Sequence, residues 1–329
     1  MEHPEVSVLM TSYNHEPYIA EAIESALSQI TSFEYEIIIF DDKSTDRSRE
    51  IINEYKQKCP NKIRTIFPEE NQYSKGKSSL CDFLIPAARG TYIAQLECDD
   101  CWTDANKLQR QYDFMESNAS CALCSHSVEL FDDSAGSVKG VSNPCKDVIK
   151  ISTSEIIDKG GAVLATCSYF ARHCDLDSYL SWRPKVYPVG DWPLMLFLSL
   201  MGEVCCLPYV MGRYRTGVST SWTGTRVRDK KLAADFDKDM VEMLDELIDK
   251  LPPKYESGLV EKQAVYVYDY AFRESISIPK AIAQLRFDRS LLGIGLRTSL
   301  AVKYCLKMSA DKLGLMNVIE LLLLKIASR

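Results

Sequence analysis

The sequence predicts an α/β fold, a mostly parallel sheet with helices on both faces, followed by a purely helical region. Apolar strand-like runs alternate with segments of helical period three times and then reach a fourth strand, the pattern of a doubly wound sheet. Polar or acidic residues follow the first, second and fourth of these runs. Beyond about residue 222 only helical periodicity remains.

The first part of the chain supplies the four strands of this sheet. We expect them at residues 6–10, 35–40, 63–67 and 92–96. A helix opens at Pro17, because the apolar residues from 19 to 30 recur at helical spacing on one face. A second helix follows the Ser-Thr-Asp run at 44–46, which suits an N-cap. A third is expected at about 78–88, after a polar loop.

The middle of the chain mixes strands and helices. Strand-like segments lie near 121–131, 148–151, 165–171, 204–207 and 210–215. Helices are expected at 104–117 and 194–201. The stretches at 132–144 and 187–193 are expected to be irregular. Ser152 and Glu155 have the spacing of a capping box, which predicts a short helix.

Two regions follow from this pattern. We predict one domain over 1–222, with halves at 1–104 and 105–222, and a helical C-terminal region over 223–329. Its helices are expected near 232–251, 256–276, 278–286, 291–308 and 316–327.

Composition excludes some function classes. The net charge of −7 argues against nucleic acid as the main partner. Residues 1–5 lead straight into the first strand, so we expect no signal peptide. No uncharged apolar run approaches the roughly 18–20 residues of a membrane span. The cysteines are scattered along the chain, which favours a reducing cytoplasm.

Residues 286–329 differ in charge from the acidic body, with eight Lys or Arg against three acids. A basic, apolar-faced segment of this kind is typical of a peripheral contact with the inner face of a membrane. A helical cap whose basic side chains face water explains the same composition. Both interpretations stay open.

Polar loops follow three of the predicted strands. Because the carboxyl ends of parallel strands share one edge, the loops at 11–14, 41–42 and 97–100 should converge. Glu97, Asp99 and Asp100 would then repel one another unless a cation neutralises them. Clustered carboxylates suit Mg²⁺ or Mn²⁺ shared with a phosphate. The alternative for these acids is a solvated turn that caps the next helix.

Three further signals are weaker. No Gly-x-Gly-x-x-Gly motif follows the first strand, which disfavours a dinucleotide-dependent dehydrogenase. Two Cys-x-x-Cys pairs, at 98–101 and 121–124, have the spacing of a four-cysteine zinc site, but the segment between them has a long helical pattern. His15 either lines the pocket or lies on the surface.

At this point the sequence resembles family 2 of the inverting glycosyltransferases, of the bacterial surface-polysaccharide type, which have the GT-A fold. The matching blocks include Thr11-Ser12-Tyr13-Asn14-His15, Asp41-Asp42-Lys43-Ser44-Thr45-Asp46, and Glu97-Cys98-Asp99-Asp100-Cys101-Trp102 with Lys107-Leu108-Gln109. They stand in the family's order and spacing, and the resemblance covers about residues 5–216.

The resemblance implies a nucleotide-sugar donor, a UDP-sugar, and a saccharide or lipid-linked acceptor. It implies that Thr11 and Tyr13 contact the nucleobase, with the Tyr13 ring stacking on uracil, and that Asp42, with Asp41 beside it, contacts the base or ribose. Glu97, Asp99 and Asp100 stand at the Asp-x-Asp motif, where Asp99 and Asp100 are implied to hold Mn²⁺ or Mg²⁺ on the diphosphate. Asp191 is implied to be the general base.

Sugar transfer from a nucleotide-sugar requires the same groups, a divalent cation and a carboxylate base. A departing diphosphate develops negative charge, which a divalent cation stabilises. The acceptor hydroxyl needs a carboxylate that takes its proton. One displacement without a covalent intermediate inverts the anomeric centre.

The sequence departs from the family at several positions. Glu97 stands where Asp is more frequent, Ser78 where an asparagine is frequent, and Thr216 where a histidine commonly follows the Tyr-Arg pair. Arg213 and Arg215 are expected to neutralise the diphosphate. The alternative function is a nucleotide-binding GT-A-like domain without transferase activity, or a nucleotidyltransferase. Against the latter, the loop at 11–17 has no glycine, arginine or lysine.

Overall fold

The computed structural model describes residues 3–218 and 229–287. They form two compact units, residues 3–183 with 189–218, and residues 184–188 with 229–287. The domain boundary expected near residue 222 lies outside the described residues, as do the helices expected at 291–308 and 316–327 and nearly all of the basic stretch at 286–329.

The first unit is built on a ten-stranded mixed sheet. Its strands are β1 (Val6–Ser12), β2 (Tyr35–Asp41), β3 (Ile63–Ile66), β4 (Tyr92–Glu97), β5 (Cys101–Trp102), β6 (Cys121–Asp132), β7 (Ser137–Val141), β8 (Ile149–Ile151), β9 (Phe170–Arg172) and β10 (Glu203–Thr216). The order is β3-β2-β1-β4-β9-β6-β10-β5, with β7 beside β6 and β8 beside β10.

Helices flank this sheet. They are α1 (Ile19–Leu27), α2 (Ser48–Lys58), α3 (Ile85–Ala87), α4 (Lys107–Ser117), α5 (Thr153–Lys159), α6 (His173–Trp182) and α7 (Asp191–Met201). The predicted capping box is formed at α5, where Ser152 and Glu155 each bond the other's backbone amide. The N-cap of α2 is Arg47, without a side-chain cap bond, so the N-cap predicted within residues 44–46 is wrong by one residue. Asp46 still accepts a hydrogen bond from the Ser48 amide at the start of the helix.

The strands β3, β2, β1 and β4 run parallel, as the sequence predicts. All residues of β2 are buried, and so are six of the seven in β1. Strands covered on both faces read as continuous apolar runs, which explains why these were evident in the sequence.

The structure corrects several predicted elements of the middle region. The segment at 165–171 is a short 3₁₀ turn followed by β9, and the two strands expected at 204–207 and 210–215 are one bulged strand, β10. The irregular stretch at 132–144 contains β7, an exposed strand that depends on pairing with β6. The predicted helix at 78–88 begins as a π-helix, Ser79–Leu84. No element was predicted where α6 lies.

The second unit is helical. Its helices are α8 (Lys230–Lys250), α9 (Glu256–Arg273) and α10 (Ile278–Leu285), in agreement with the predicted apolar stripes. Val241, Val260, Ala264 and Val267 belong to its buried cluster. Within the part of the chain that the structure describes, no helix combines the length and apolar character needed to cross a membrane.

A buried carboxylate joins the strands at the end of the sheet opposite the polar loops. Glu36 is fully buried and accepts a hydrogen bond from the Ser7 hydroxyl at 2.8 Å. The guanidinium groups of Arg64 and Arg89 each donate a further hydrogen bond to its carboxylate at 3.0 Å. Burial alone would raise the pKa of Glu36, but the bonds from Arg89, Arg64 and Ser7 outweigh it, so the pKa lies below its usual value of 4.5.

We therefore expect Glu36→Gln to lower the free energy of unfolding by roughly 1–3 kcal/mol, because charge-assisted bonds are replaced by neutral ones. Urea unfolding at pH 7 measures this, with Glu34→Gln, an exposed neighbour, as the control. Because the folded-state pKa is depressed, the contribution is complete above pH 4.5 and is lost as pH falls through the folded value. Equal unfolding free energies for both variants at pH 7 would contradict the assignment.

Candidate active site at the carboxyl ends of three parallel strands

The three polar loops meet at one edge of the sheet. β1 lies between β2 and β4, and the register pairs Ser12 with Asp41 and Thr11 with Glu97. The strands therefore end at the same level, and the loops that follow them form one surface, as the sequence predicts.

Two carboxyl groups of the acidic turn after β4 are short of partners. Glu97 Oε2 and Asp100 Oδ2 are buried, and neither has a hydrogen-bond partner among the described residues. Burial, followed by the charge of Asp99, raises the pKa of Glu97 to about 8 and that of Asp100 well above its usual value. Such groups readily exchange a proton for a cation.

The donor set fits one kind of metal and not another. In the described part of the chain, no three His, Cys, Asp or Glu side chains are arranged as a metal site. A structural zinc site consists entirely of protein ligands, so the four-cysteine zinc alternative is not formed. Mg²⁺ is commonly held by one or two carboxylates plus substrate phosphates, and the unpartnered oxygens of the acidic turn fit that arrangement.

Arg215 fixes the shape of the acidic turn. Its backbone amide donates to Asp100 Oδ1 at 2.8 Å, and its Nη1 donates to the carbonyl oxygen of Asp99 at 2.6 Å. Its Nη2 bonds Glu21, and Asp133 lies 3.9 Å from its Nε. With 5% of its side chain exposed, Arg215 acts as an internal clamp.

The two arginines were predicted to contact a diphosphate, and the structure engages both within the protein. Arg213 donates to Glu129 at 2.9 Å and lies over the Phe131 ring. Thr216 donates its hydroxyl to the carbonyl of Phe131. A diphosphate contact of Arg213 or Arg215 stays a prediction, and it would compete with these ion pairs.

The acidic pair after β2 divides into two roles. Asp41 is fully buried, binds Arg49 Nε at 2.5 Å and accepts from the Ser44 amide. The Asp41 carboxylate is therefore not exposed for the predicted contact with the nucleotide. Asp42 accepts the amides of Gln72 and Tyr73 at 2.6 and 3.0 Å, so it anchors the next loop. Its predicted base or ribose contact stays open, because each carboxylate oxygen can accept a second bond.

The β1 loop offers an open aromatic face. Tyr13 is 45% exposed, so its ring is available for stacking. Thr11 is partly buried, and its carbonyl accepts from the Cys98 amide at 2.9 Å. That bond joins the predicted nucleobase contacts directly to the acidic turn.

Asp191, the predicted base, is the first residue of α7. Its Oδ1 accepts from the Trp192 amide at 2.7 Å. Burial of the carboxyl raises its pKa, although the residue keeps part of its surface open. The charge of Asp191 also raises the pKa of Glu97, after burial and Asp99. The structure thus brings the predicted base and the acidic turn into one electrostatic environment.

Sequence reasoning missed three residues around this site. A Cβ on Gly161 would lie 2.5 Å from Asp191 Oδ2, so a side chain there would displace the carboxylate. Tyr169 is buried with its hydroxyl unpartnered in the described chain, and Asp191 and Glu97 raise its pKa further after burial. Glu21 holds Arg215. No local motif marks these positions, because each acts on a residue distant in sequence.

Comparison with known proteins identifies the class. The profile described as "Glycosyl transferase family 2" matches residues 7–138. An uncharacterized protein of Mycobacterium tuberculosis is 30% identical over 245 residues, which cover 74% of this chain and 68% of the relative. The Escherichia coli UDP-Glc:alpha-D-GlcNAc-diphosphoundecaprenol beta-1,3-glucosyltransferase WfaP is 40% identical over 111 residues, 34% of this chain and 41% of the relative.

Solved structures agree on the fold. TarS residues 1–349 of S. aureus, in complex with UDP, superpose with a TM-score of 0.54 at 15% identity, over 94% of this chain and 92% of that one. The mannosyltransferase PcManGT of Pyrobaculum calidifontis, in complex with GDP-Man and Mn²⁺, gives 0.54 at 15% identity, over 95% and 89%. The fold is that of the GT-A glycosyltransferases. The chain belongs to glycosyltransferase family 2.

The close approach at Gly161 generates a prediction. Gly161→Ala should leave the fold intact, because the end of a side chain can move, but it should displace the Asp191 carboxylate and lower sugar transfer on the order of 10²-fold. Gly190→Ala is the control, since a Cβ at Gly190 meets no atom within 4 Å. Transfer rates and thermal unfolding of both variants measure this. Parental transfer by Gly161→Ala would show that the carboxylate position is unimportant.

Proposed function

We propose that this chain transfers a sugar from a UDP-sugar to a saccharide or lipid-linked saccharide, with inversion, using Mn²⁺ or Mg²⁺ and Asp191 as the general base. The observation that carries the proposal is the location of Asp191 near the acidic turn, where its charge adds to burial and Asp99 in raising the pKa of Glu97. The reaction needs a site for a charged leaving group beside a base, and this edge of the sheet offers both.

The donor side begins with the nucleotide. The exposed Tyr13 ring stacks on the base, and the Asp42 carboxylate accepts from the base or ribose. TarS binds UDP and the relative WfaP is named for UDP-Glc, which supports a uridine donor. The GDP-Man complex of PcManGT makes GDP the second nucleotide to test.

Asp99 and Asp100 would hold the divalent cation, with Glu97 beside them. The bound cation would stabilise the negative charge that develops on the departing diphosphate. Arg215 fixes the acidic turn through its hydrogen bonds to the Asp100 carboxylate and the Asp99 carbonyl. PcManGT was solved with Mn²⁺, which supports Mn²⁺ as the first ion to test.

Asp191 acts on the acceptor. Its carboxylate takes the proton of the acceptor hydroxyl as that oxygen bonds the anomeric carbon. The bond from this carbon to the phosphate oxygen breaks, and the nucleoside diphosphate leaves with the electron pair. The nucleophile enters opposite the leaving group, so the anomeric configuration inverts. The raised pKa of Asp191 makes it a stronger base than an exposed aspartate.

The remaining proposals concern acceptor and place. The named acceptor of WfaP, a GlcNAc-diphosphoundecaprenol, supports a lipid-linked saccharide and a role in surface-polysaccharide biosynthesis. We propose the cytoplasm as the location, since the described cysteines are free thiols. Contact of residues 286–329 with the inner membrane face is part of this proposal only if the lipid-linked acceptor is correct.

Nucleotide binding tests the donor site. We expect UDP to bind in the presence of Mn²⁺ and to be released by EDTA, and Asp99→Asn to bind it weakly even with the metal. Tyr13→Ala should cost on the order of 1–3 kcal/mol of binding free energy if the ring stacks on the base. Tyr209→Ala is the control, because Tyr209 is exposed to a similar extent, 43%, on another strand. Calorimetry with UDP and with GDP measures these affinities. Binding that is indifferent to both EDTA and Asp99→Asn would contradict the metal assignment.

The base is tested by Asp191→Asn, which keeps the shape of the side chain and removes the proton acceptor. Single-turnover transfer should fall by roughly 10²–10⁴-fold, while donor affinity changes little. The parental rate should fall as pH drops through the pKa of Asp191, which lies above its usual value of 3.8, because the base works deprotonated. The variant should lack this acidic limb. Asp175→Asn, in the first turn of α6, is the control. A variant that loses donor affinity as steeply as rate would make Asp191 a binding residue.

A further inference from the structure

The loop that carries His15 is held rigidly by the loop after β2. The amides of Asn14, His15 and Glu16 donate to Ser44 Oγ, Ser48 Oγ and Asp46 Oδ2 at 2.8–2.9 Å. Asn14 has a positive φ of 55°. Consecutive side-chain bonds to three backbone amides fix the direction in which the His15 ring leaves the chain.

The ring is directed at the acidic turn. His15 Nε2 lies 3.9 Å from Asp99 Oδ2, and the two side chains are 13% and 18% exposed. The Asp99 carboxylate has no other ion pair or hydrogen bond to the residues that the structure describes. Arg215 holds the backbone of Asp99 and the side chain of Asp100. Among the described residues, His15 is therefore the group placed to orient the Asp99 carboxylate itself.

The buried side of the ring decides its tautomer. His15 Nδ1 is buried and has no partner in the described chain. A proton on Nδ1 would be a buried donor without an acceptor. An unprotonated Nδ1 leaves only an unpaired lone pair, which costs less free energy than an unpaired N–H group. The proton is therefore placed on Nε2, facing Asp99.

We infer that His15 is a positioning residue of the transferase site. Its Nε2 faces the Asp99 carboxylate from 3.9 Å, which is longer than a hydrogen bond, and it closes to a hydrogen bond that orients this carboxylate when the divalent cation binds. The inference rests on the proposed function, because it assigns Asp99 to the metal. A direct His15–metal bond would need the Nε2 lone pair and would leave the Nδ1 proton buried without an acceptor, whereas metal-bound histidines nearly always donate that proton. Ligating carboxylates are themselves commonly hydrogen-bonded, and losing such an outer partner typically weakens metal binding 10–100-fold.

The test is Mn²⁺ affinity of the full chain in the presence of UDP, measured by the EPR signal of free Mn²⁺. His15→Phe keeps a ring without a donor and should weaken Mn²⁺ binding by about 10–100-fold. His15→Gln retains an N–H donor at a similar reach and should restore affinity to within about threefold of the parent. The loss caused by His15→Phe should vanish when Asp99 is already Asn, and thermal unfolding without metal should be the same for both His15 variants.

Three outcomes overturn the inference, and they separate it from the proposed function. Equal Mn²⁺ affinity for His15→Phe and the parent, with weak binding by Asp99→Asn, removes His15 and leaves the metal site intact. A directly coordinated imidazole nitrogen in pulsed EPR of the parent would make His15 a ligand instead of a positioning residue. Unchanged Mn²⁺ affinity in Asp99→Asn would remove the proposed metal site, and this inference with it.

Discussion

The site depends on the grip of Arg215 on the turn after β4. Three carboxyl groups within four residues would splay apart in water, yet Asp100 is buried and its orientation is fixed by the Arg215 amide. The guanidinium contributes geometry more than neutralisation, because its charge is already matched by Glu21 and Asp133. The acidic turn therefore lacks a neutralising cation among the described residues, and burial, followed by the charge of Asp99, raises the pKa of Glu97 and Asp100. A fixed turn with an unsatisfied demand for a cation is what a metal-dependent transferase requires.

The proposed base is prepared by a different physical effect. Burial raises the pKa of Asp191, and its amide bond from Trp192 only partly offsets this. A Cβ at Gly161 would lie 2.5 Å from Asp191 Oδ2. The glycine at this point therefore leaves the space that the carboxylate occupies.

The sequence predicted the parallel strands and the convergence of their loops because both depend on local patterns. β1, β2 and β4 are short apolar runs buried on both faces, and polar residues mark where each ends. The partners of Arg213, Arg215 and Asp42 could not be predicted, since they lie 30 to 194 residues away in the chain. Exposed β7 was missed for a related reason, because its strand conformation comes from pairing with β6 and not from its own residues.

The two predicted halves of the first domain, residues 1–104 and 105–222, are joined by contacts that shape the site. Every predicted donor contact except the two arginines lies in 1–104, which suggests a self-contained nucleotide-binding half. The contacts contradict independence, because β4 pairs with β9 on its other edge and Trp102 donates its indole N–H to the Cys167 carbonyl. Asp100 is oriented by Arg215, 115 residues further on. The geometry of the acidic turn in residues 1–104 therefore depends on contacts from residues after 104, the part of the chain that also carries the proposed base, Asp191.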